Sequence, residues 1–131
     1  MKKEEIVRLL MKATRELGLV DTLGCVIGKN IHVNVSFTKT ACEASIDELM
    51  LSVRSNNALR RSGIATIGEL ITRLNEGDLK SIRNLGSKSI SEIKTKVLVY
   101  GFNQLSEKGK KAFLYDLVEN NTICGALSVS A

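Results

Sequence analysis

Proline and tryptophan are both absent from this sequence of 131 residues, and aromatic residues make up only 4% of it. Without tryptophan, and with three Phe and two Tyr, the core has to be built from Leu, Ile and Val, which suits short helices better than a β-sandwich. A sequence without proline is compatible with mostly helical structure. There is one histidine, His32, and no cysteine or carboxylate is spaced to join it in a metal site or a catalytic triad. The three cysteines, Cys25, Cys42 and Cys124, form no C-x-x-C pair, which excludes the usual zinc and dithiol motifs and is expected of reduced thiols in a cytoplasmic protein. Neither G-x-x-x-x-G-K-[ST] nor G-x-G-x-x-G occurs, so nucleotide hydrolysis has no support. No apolar run reaches the ~18 residues of a membrane span, and the MKKEE start lacks the apolar stretch of a signal peptide. No catalytic group, metal or cofactor is expected.

What is present is a modest basic excess, 19 Lys and Arg against 14 Asp and Glu, with an isoelectric point near 9.2. That balance suits a nucleic-acid partner without requiring one. Ile6, Leu10, Ala13 and Leu17 recur at helical spacing and predict an amphipathic first helix ended by Gly18. In CVIGKNIHVNVSF, residues 25–37, the period changes to two, which predicts a short β-hairpin turning at Gly28, Lys29 and Asn30. Residues 1–44 are thus expected to be a small α/β element, with Thr38 to Ala44 as a linker, and the apolar stripes suggest a homodimer through it.

From Ser45 the pattern is a run of short helices. Ser52 is expected to cap a helix from Val53 to Arg61, Thr66 the next from Ile67 to Leu74, and a short third helix spans Glu76 to Ile82. The stretch NLGSKSISEIK then opens a longer helix, from Ser87 to Tyr100. Gly86 allows positive φ or close approach, Ser87 and Ser89 carry hydroxyls, and Lys88 puts a charge beside helix-start amides, which together describe an anion site. Ser106 is expected to cap a last helix, Glu107 to Glu119, before a flexible tail over 121–131. Upstream, Arg54, Asn57 and Arg61 share one face of their helix. Arg with a neighbouring Asn suits a narrow A·T-rich minor groove, although periodicity alone also fits an ordinary solvated face.

The run from Ser45 to Phe102 contains ELMLSVRSNNAL and NLGSKSISEIK, with IATIGEL between them, and resembles the C-terminal domain of the bacterial RNA polymerase alpha subunit. The resemblance implies a mainly α fold over 45–120: a compact, SAM-domain-like bundle of short helices with a helix-hairpin-helix-like element. It also implies A·T-biased double-stranded DNA binding in transcription regulation. The implied DNA residues are Arg54, Asn57, Gly86, Lys88, Ser89 and Glu92, the last by orienting Arg54. Arg83 stands where the family often has proline and, with Arg61, is an expected additional DNA contact. Asp47 and Glu48 keep part of an acidic patch for activators, sigma factor or RNA polymerase, while Met50 replaces a further acid. The resemblance leaves room for a module that binds such proteins without DNA. Residues 1–44 are too short for an assembly domain, so a free-standing cytoplasmic, nucleoid-associated protein is expected.

Overall fold

The computed structural model describes residues 2–26, 33, 37–83 and 85–123. By contact the protein forms two compact units, one of them Phe37–Gln104 and the other made of the segments before and after it.

In the Phe37–Gln104 unit, short capped helices enclose an aliphatic core. Thr38 accepts from the Ala41 amide at 3.1 Å and starts α1, Lys39–Glu43, so the segment expected as a linker is helical. Ser45 caps a 3-10 turn, Ile46–Leu49, and Ser52 caps α2, Val53–Arg61, by accepting from the Ser55 amide at 3.2 Å. Thr66 opens α3, Ile67–Asn75, in a capping box. Its hydroxyl accepts from the Glu69 amide, and Glu69 accepts in return from the Thr66 amide. A second 3-10 turn, Asp78–Ser81, leads into α4, Ser87–Asn103. Where a short helix from Glu76 to Ile82 was expected, a single 3-10 turn forms, and the longer helix starts at Ser87 as expected.

Two backbone hydrogen bonds, Ile46 N–H to Ala65 O at 3.0 Å and Ile67 N–H to Ala44 O at 2.9 Å, join the entry of the first 3-10 turn to the α2–α3 connection. Ile46, Leu59, Ile67, Leu70, Ile93 and Val97 are fully buried and supply the core expected from a sequence poor in aromatics. Burying each such side chain contributes about 1.5–3 kcal/mol. α1 comes so close to α3 that a Cβ at Gly68 would lie 2.9 Å from the Cys42 carbonyl oxygen. Phe37 covers Gly101 on α4 with its ring, leaving no space for a side chain there.

The other unit contains three helices among the described residues: α5, Lys3–Leu17; α6, Leu19–Val26; and α7, Glu107–Ile123. Gly18, at φ 91°, ends α5 as expected, and its amide donates to Thr14 O at 2.9 Å. The backbone then re-enters a helix, because Gly18 O accepts from both the Thr22 amide, at 3.1 Å, and the Thr22 hydroxyl, at 2.8 Å. Cys25 and Val26, expected to open a β-hairpin, consequently form the last turn of α6. No strand occurs among the described residues. Of the remaining hairpin only Val33 and Phe37 are described; the rest lies outside the described residues. α5 packs on α6 and α7, burying Leu10, Met11, Leu23, Leu114 and Leu117.

These units run differently from the expected division at 45 and 120, since α7 groups with α5 rather than with the Phe37–Gln104 unit. Ser106 caps α7 as expected, accepting from the Gly109 amide at 3.2 Å. The helix continues to Ile123, so the first residues of the expected tail are helical, and Asn121 is fully buried with its amide on Leu117 O at 2.8 Å. Residues 124–131 lie outside the described residues.

Candidate nucleic-acid interface

α2 has two polar faces. On one, Asn56 and Arg60 are held by the preceding 3-10 turn. The Arg60 guanidinium lies 3.0 Å from an Asp47 carboxylate oxygen, and the Asn56 amide donates to that same oxygen at 2.8 Å. Arg60 Nε also donates to Asn56 Oδ1 at 3.1 Å, and its Nη2 reaches the Ser45 hydroxyl at 3.3 Å. The Asn56 hydrogen bond first, and the Arg60 hydrogen bond and charge after it, hold the Asp47 carboxyl below its ordinary range. Asp47 and Glu48, expected as contacts for other proteins, are both exposed, but Asp47 is engaged within the fold whereas Glu48 has no side-chain partner among the described residues.

On the other face Arg54, Asn57 and Arg61 are exposed and form no hydrogen bond or ion pair with a described residue. Their i, i+3, i+7 spacing keeps them on one side of the helix. The helix buries Ser55, Ala58 and Leu59, which fixes the direction in which the basic side points.

Gly86 is the N-cap of α4 in extended backbone, φ −85° and ψ 175°, so the positive φ that its glycine permits is not used. A Cβ there would meet nothing within 4 Å. The helix has no side-chain cap, although Ser87 and Ser89 both stand in its first turn, and the Ile90 amide makes the first bond back, to Gly86 O at 3.0 Å. The amides ahead of Ile90 therefore point outward with the positive end of the helix dipole, beside the exposed Lys88. Ser89 is half-buried.

Glu92, expected to orient Arg54, makes no hydrogen bond or ion pair with it among the described residues. Its carboxylate sits 3.8 Å from the ammonium of Lys96, one helical turn along. The Lys96 ammonium donates at 2.6 Å to the carbonyl of Met50, tying α4 to the end of the first 3-10 turn. Met50 has φ 56°, a left-handed conformation that costs an ordinary residue roughly 1–2 kcal/mol. The Lys96 bond and the Met50 amide's own bond to Asp47 O, at 3.2 Å, help to hold it. The Lys96 strap was not anticipated from sequence. The Glu92–Lys96 spacing was visible there, but the carbonyl partner, 46 residues away, was not.

Arg61 and Arg83, expected as additional contacts, are brought together: with Ala58 and Ser62 they line one open depression of about 540 Å³. No hydrogen bond or ion pair among the described residues joins the side chains of Arg54 or Asn57 to the start of α4. Among the described residues no group of three or more His, Cys, Asp or Glu is placed to hold a metal ion, and no helix is long and apolar enough to cross a membrane.

Residues 36–98 match the family described as the C-terminal domain of the bacterial RNA polymerase alpha chain. The DNA-directed RNA polymerase subunit alpha of Cutibacterium acnes is 45% identical over 92 residues, spanning 70% of this protein and 26% of that one. The corresponding subunit of Frankia alni is 57% identical over 56 residues, 43% of this protein and 16% of the relative. That of Symbiobacterium thermophilum is 49% identical over 61 residues, 47% of this protein and 19% of the relative. The aligned parts span about a quarter or less of these relatives. No solved structure matches the protein.

Proposed function

Residues 36–98 belong to the family of C-terminal domains of the bacterial RNA polymerase alpha subunit, and from that premise we propose that this protein binds double-stranded DNA in transcription regulation, with a preference for A·T-rich sequence. The observation that carries the reading is a set of exposed donors with no side-chain partner among the described residues. Arg54 and Asn57 project from α2, and the uncapped start of α4 presents its amides beside Lys88. A guanidinium is drawn into the strong negative potential of a narrow minor groove, and an amide reaches the N3 and O2 acceptors there. The α4 amides, Gly86, Lys88 and Ser89 then hold the neighbouring phosphate, with the absent Cβ at Gly86 leaving room for the sugar-phosphate backbone. Glu92 acts on this surface through Lys96, and so through the placement of the Met50 turn before α2.

The role is one of binding and recruitment rather than catalysis, carried out on nucleoid DNA. A module with few phosphate contacts binds weakly, and a homodimer through residues 1–44 would raise occupancy by avidity. Leu9 and Leu17 on α5 and Val20 on α6, each about half exposed, are side chains available to such a contact, and a monomer in sedimentation at high concentration removes that part.

The test is fluorescence anisotropy with an A·T-rich and a G·C-rich duplex. The native protein binds the A·T duplex more tightly and Arg54→Ala loses the preference. Equal binding of both duplexes by the native protein removes the groove reading.

A second reading rests on Met50 and Val53, 78% and 77% exposed beside Glu48. These two apolar side chains next to an acid suit a protein partner such as an activator, sigma factor or RNA polymerase itself. Binding of that kind survives loss of Arg54 and Lys88 and is lost in Met50→Asp.

A further inference from the structure

We infer that Arg61 and Arg83 form a second phosphate grip, which holds one backbone phosphate of the bound duplex apart from the one at the start of α4. The inference rests on the DNA-binding reading above and adds to it a separate contact.

Two exposed guanidinium groups line a single depression, and among its described lining residues there is no carboxylate to balance them. Both guanidinium groups therefore keep their donors available to a shared anion. The other two lining residues are Ala58, small and buried, and Ser62, half-buried with a hydroxyl able to donate. A third guanidinium lies close by, where Arg73 Nη1 reaches Ser62 O at 3.4 Å.

The volume of about 540 Å³ exceeds what a bare ion needs and accommodates a phosphate with its sugar. Two planar forks of donors fit the oxygens of a phosphodiester, and no large apolar residue is among the described lining residues to receive a protein partner. The depression is also continuous with the proposed DNA surface. Arg61 follows Arg54 on the same face of α2 by seven residues, about 10 Å along the helix. That separation is roughly three times the rise per nucleotide of one strand, about 3.4 Å, enough for Arg61 to take a backbone phosphate while Arg54 occupies the groove. Arg83 precedes the Gly86 cap by three residues and lines the same depression.

The test is the salt dependence of duplex binding for the native protein, Arg54→Ala, the double variant Arg61→Ala/Arg83→Ala, and Arg61→Lys/Arg83→Lys. Each phosphate neutralised contributes about 0.9 to the slope of log affinity against log salt. The double alanine variant is expected to lose about that much slope, so that its affinity falls about threefold less than the native protein's between 50 and 200 mM salt. Its A·T preference and its melting temperature stay unchanged, and the lysine variant recovers the slope. A double alanine variant with native slope and affinity, beside native binding that still depends on Arg54, overturns the grip and leaves the DNA reading standing. Absence of duplex binding by the native protein at low salt overturns both. Native binding of pyrophosphate that the double variant loses, with duplex slope unchanged, assigns the depression to free phosphates and likewise overturns the grip.

Discussion

The two polar faces of α2 carry the same residue types, Asn and Arg, and use them in opposite ways. Asn56 and Arg60 are fixed by Asp47 and Ser45, and their hydrogen bonds join the helix to the turn before it. Arg54, Asn57 and Arg61, one residue further round, have no partner among the described residues. A paired guanidinium has its donors occupied and its rotamers restricted, and so positions the helix. An unpaired one keeps both its donors and its freedom for a ligand. Residue type therefore does not distinguish architecture from recognition on this helix. The location of the nearest carboxylate does.

The comparison breaks most completely if α2 loses its seat. Leu59→Ala removes a fully buried side chain from the inner side of α2 and is expected to cost about 2–5 kcal/mol in chemical denaturation, with both faces losing their placement. Gly68→Ala, which forces a methyl group against the Cys42 carbonyl, is expected to cost about 1–3 kcal/mol in the same measurement.

Substitutions at the surface sharpen the contrast. Arg54→Ala is expected to weaken A·T duplex binding by about 1–3 kcal/mol in anisotropy while stability stays within about 0.5 kcal/mol. Arg60→Ala should do the reverse, lowering the denaturation midpoint with little change in A·T preference.

The smallest effect concerns pH. Because the Asp47 carboxyl is held below its ordinary value, its contribution is complete above that value and is lost as pH falls through the lowered one. Asp47→Asn should therefore flatten the acid limb of the stability profile and leave the neutral region less affected.

Much of this arrangement was legible in the sequence because caps are local signals. Ser52, Thr66 and Ser106 each bond an amide three residues on, so the capping residue and its helix start stand together in the sequence. The Arg54, Asn57, Arg61 face was legible for the same reason, being fixed by helical spacing alone. Gly18 shows the limit of a local signal. It ends a helix, as its type suggests, but Thr22 bonds back to it and starts another where strand alternation was expected. Longer-range pairings were not legible: Asn56 to Asp47 across a cap, Lys96 to the Met50 carbonyl, and Arg61 beside Arg83 all depend on the packed fold. Gly86 is a different case, since its sequence context suggested an unusual backbone and it adopts an ordinary extended one.

The most direct test is a titration of isotope-labelled protein with an A·T-rich duplex, followed by NMR through the backbone amides and the arginine Nε–H groups. The account predicts that shifts concentrate at Arg54, Asn57 and Arg61 and at the amides of residues 86–89, while Asn56 and Arg60 stay nearly still. Shifts centred on Asn56, Arg60 and Glu48, with Arg54 and the α4 start unmoved, would contradict it.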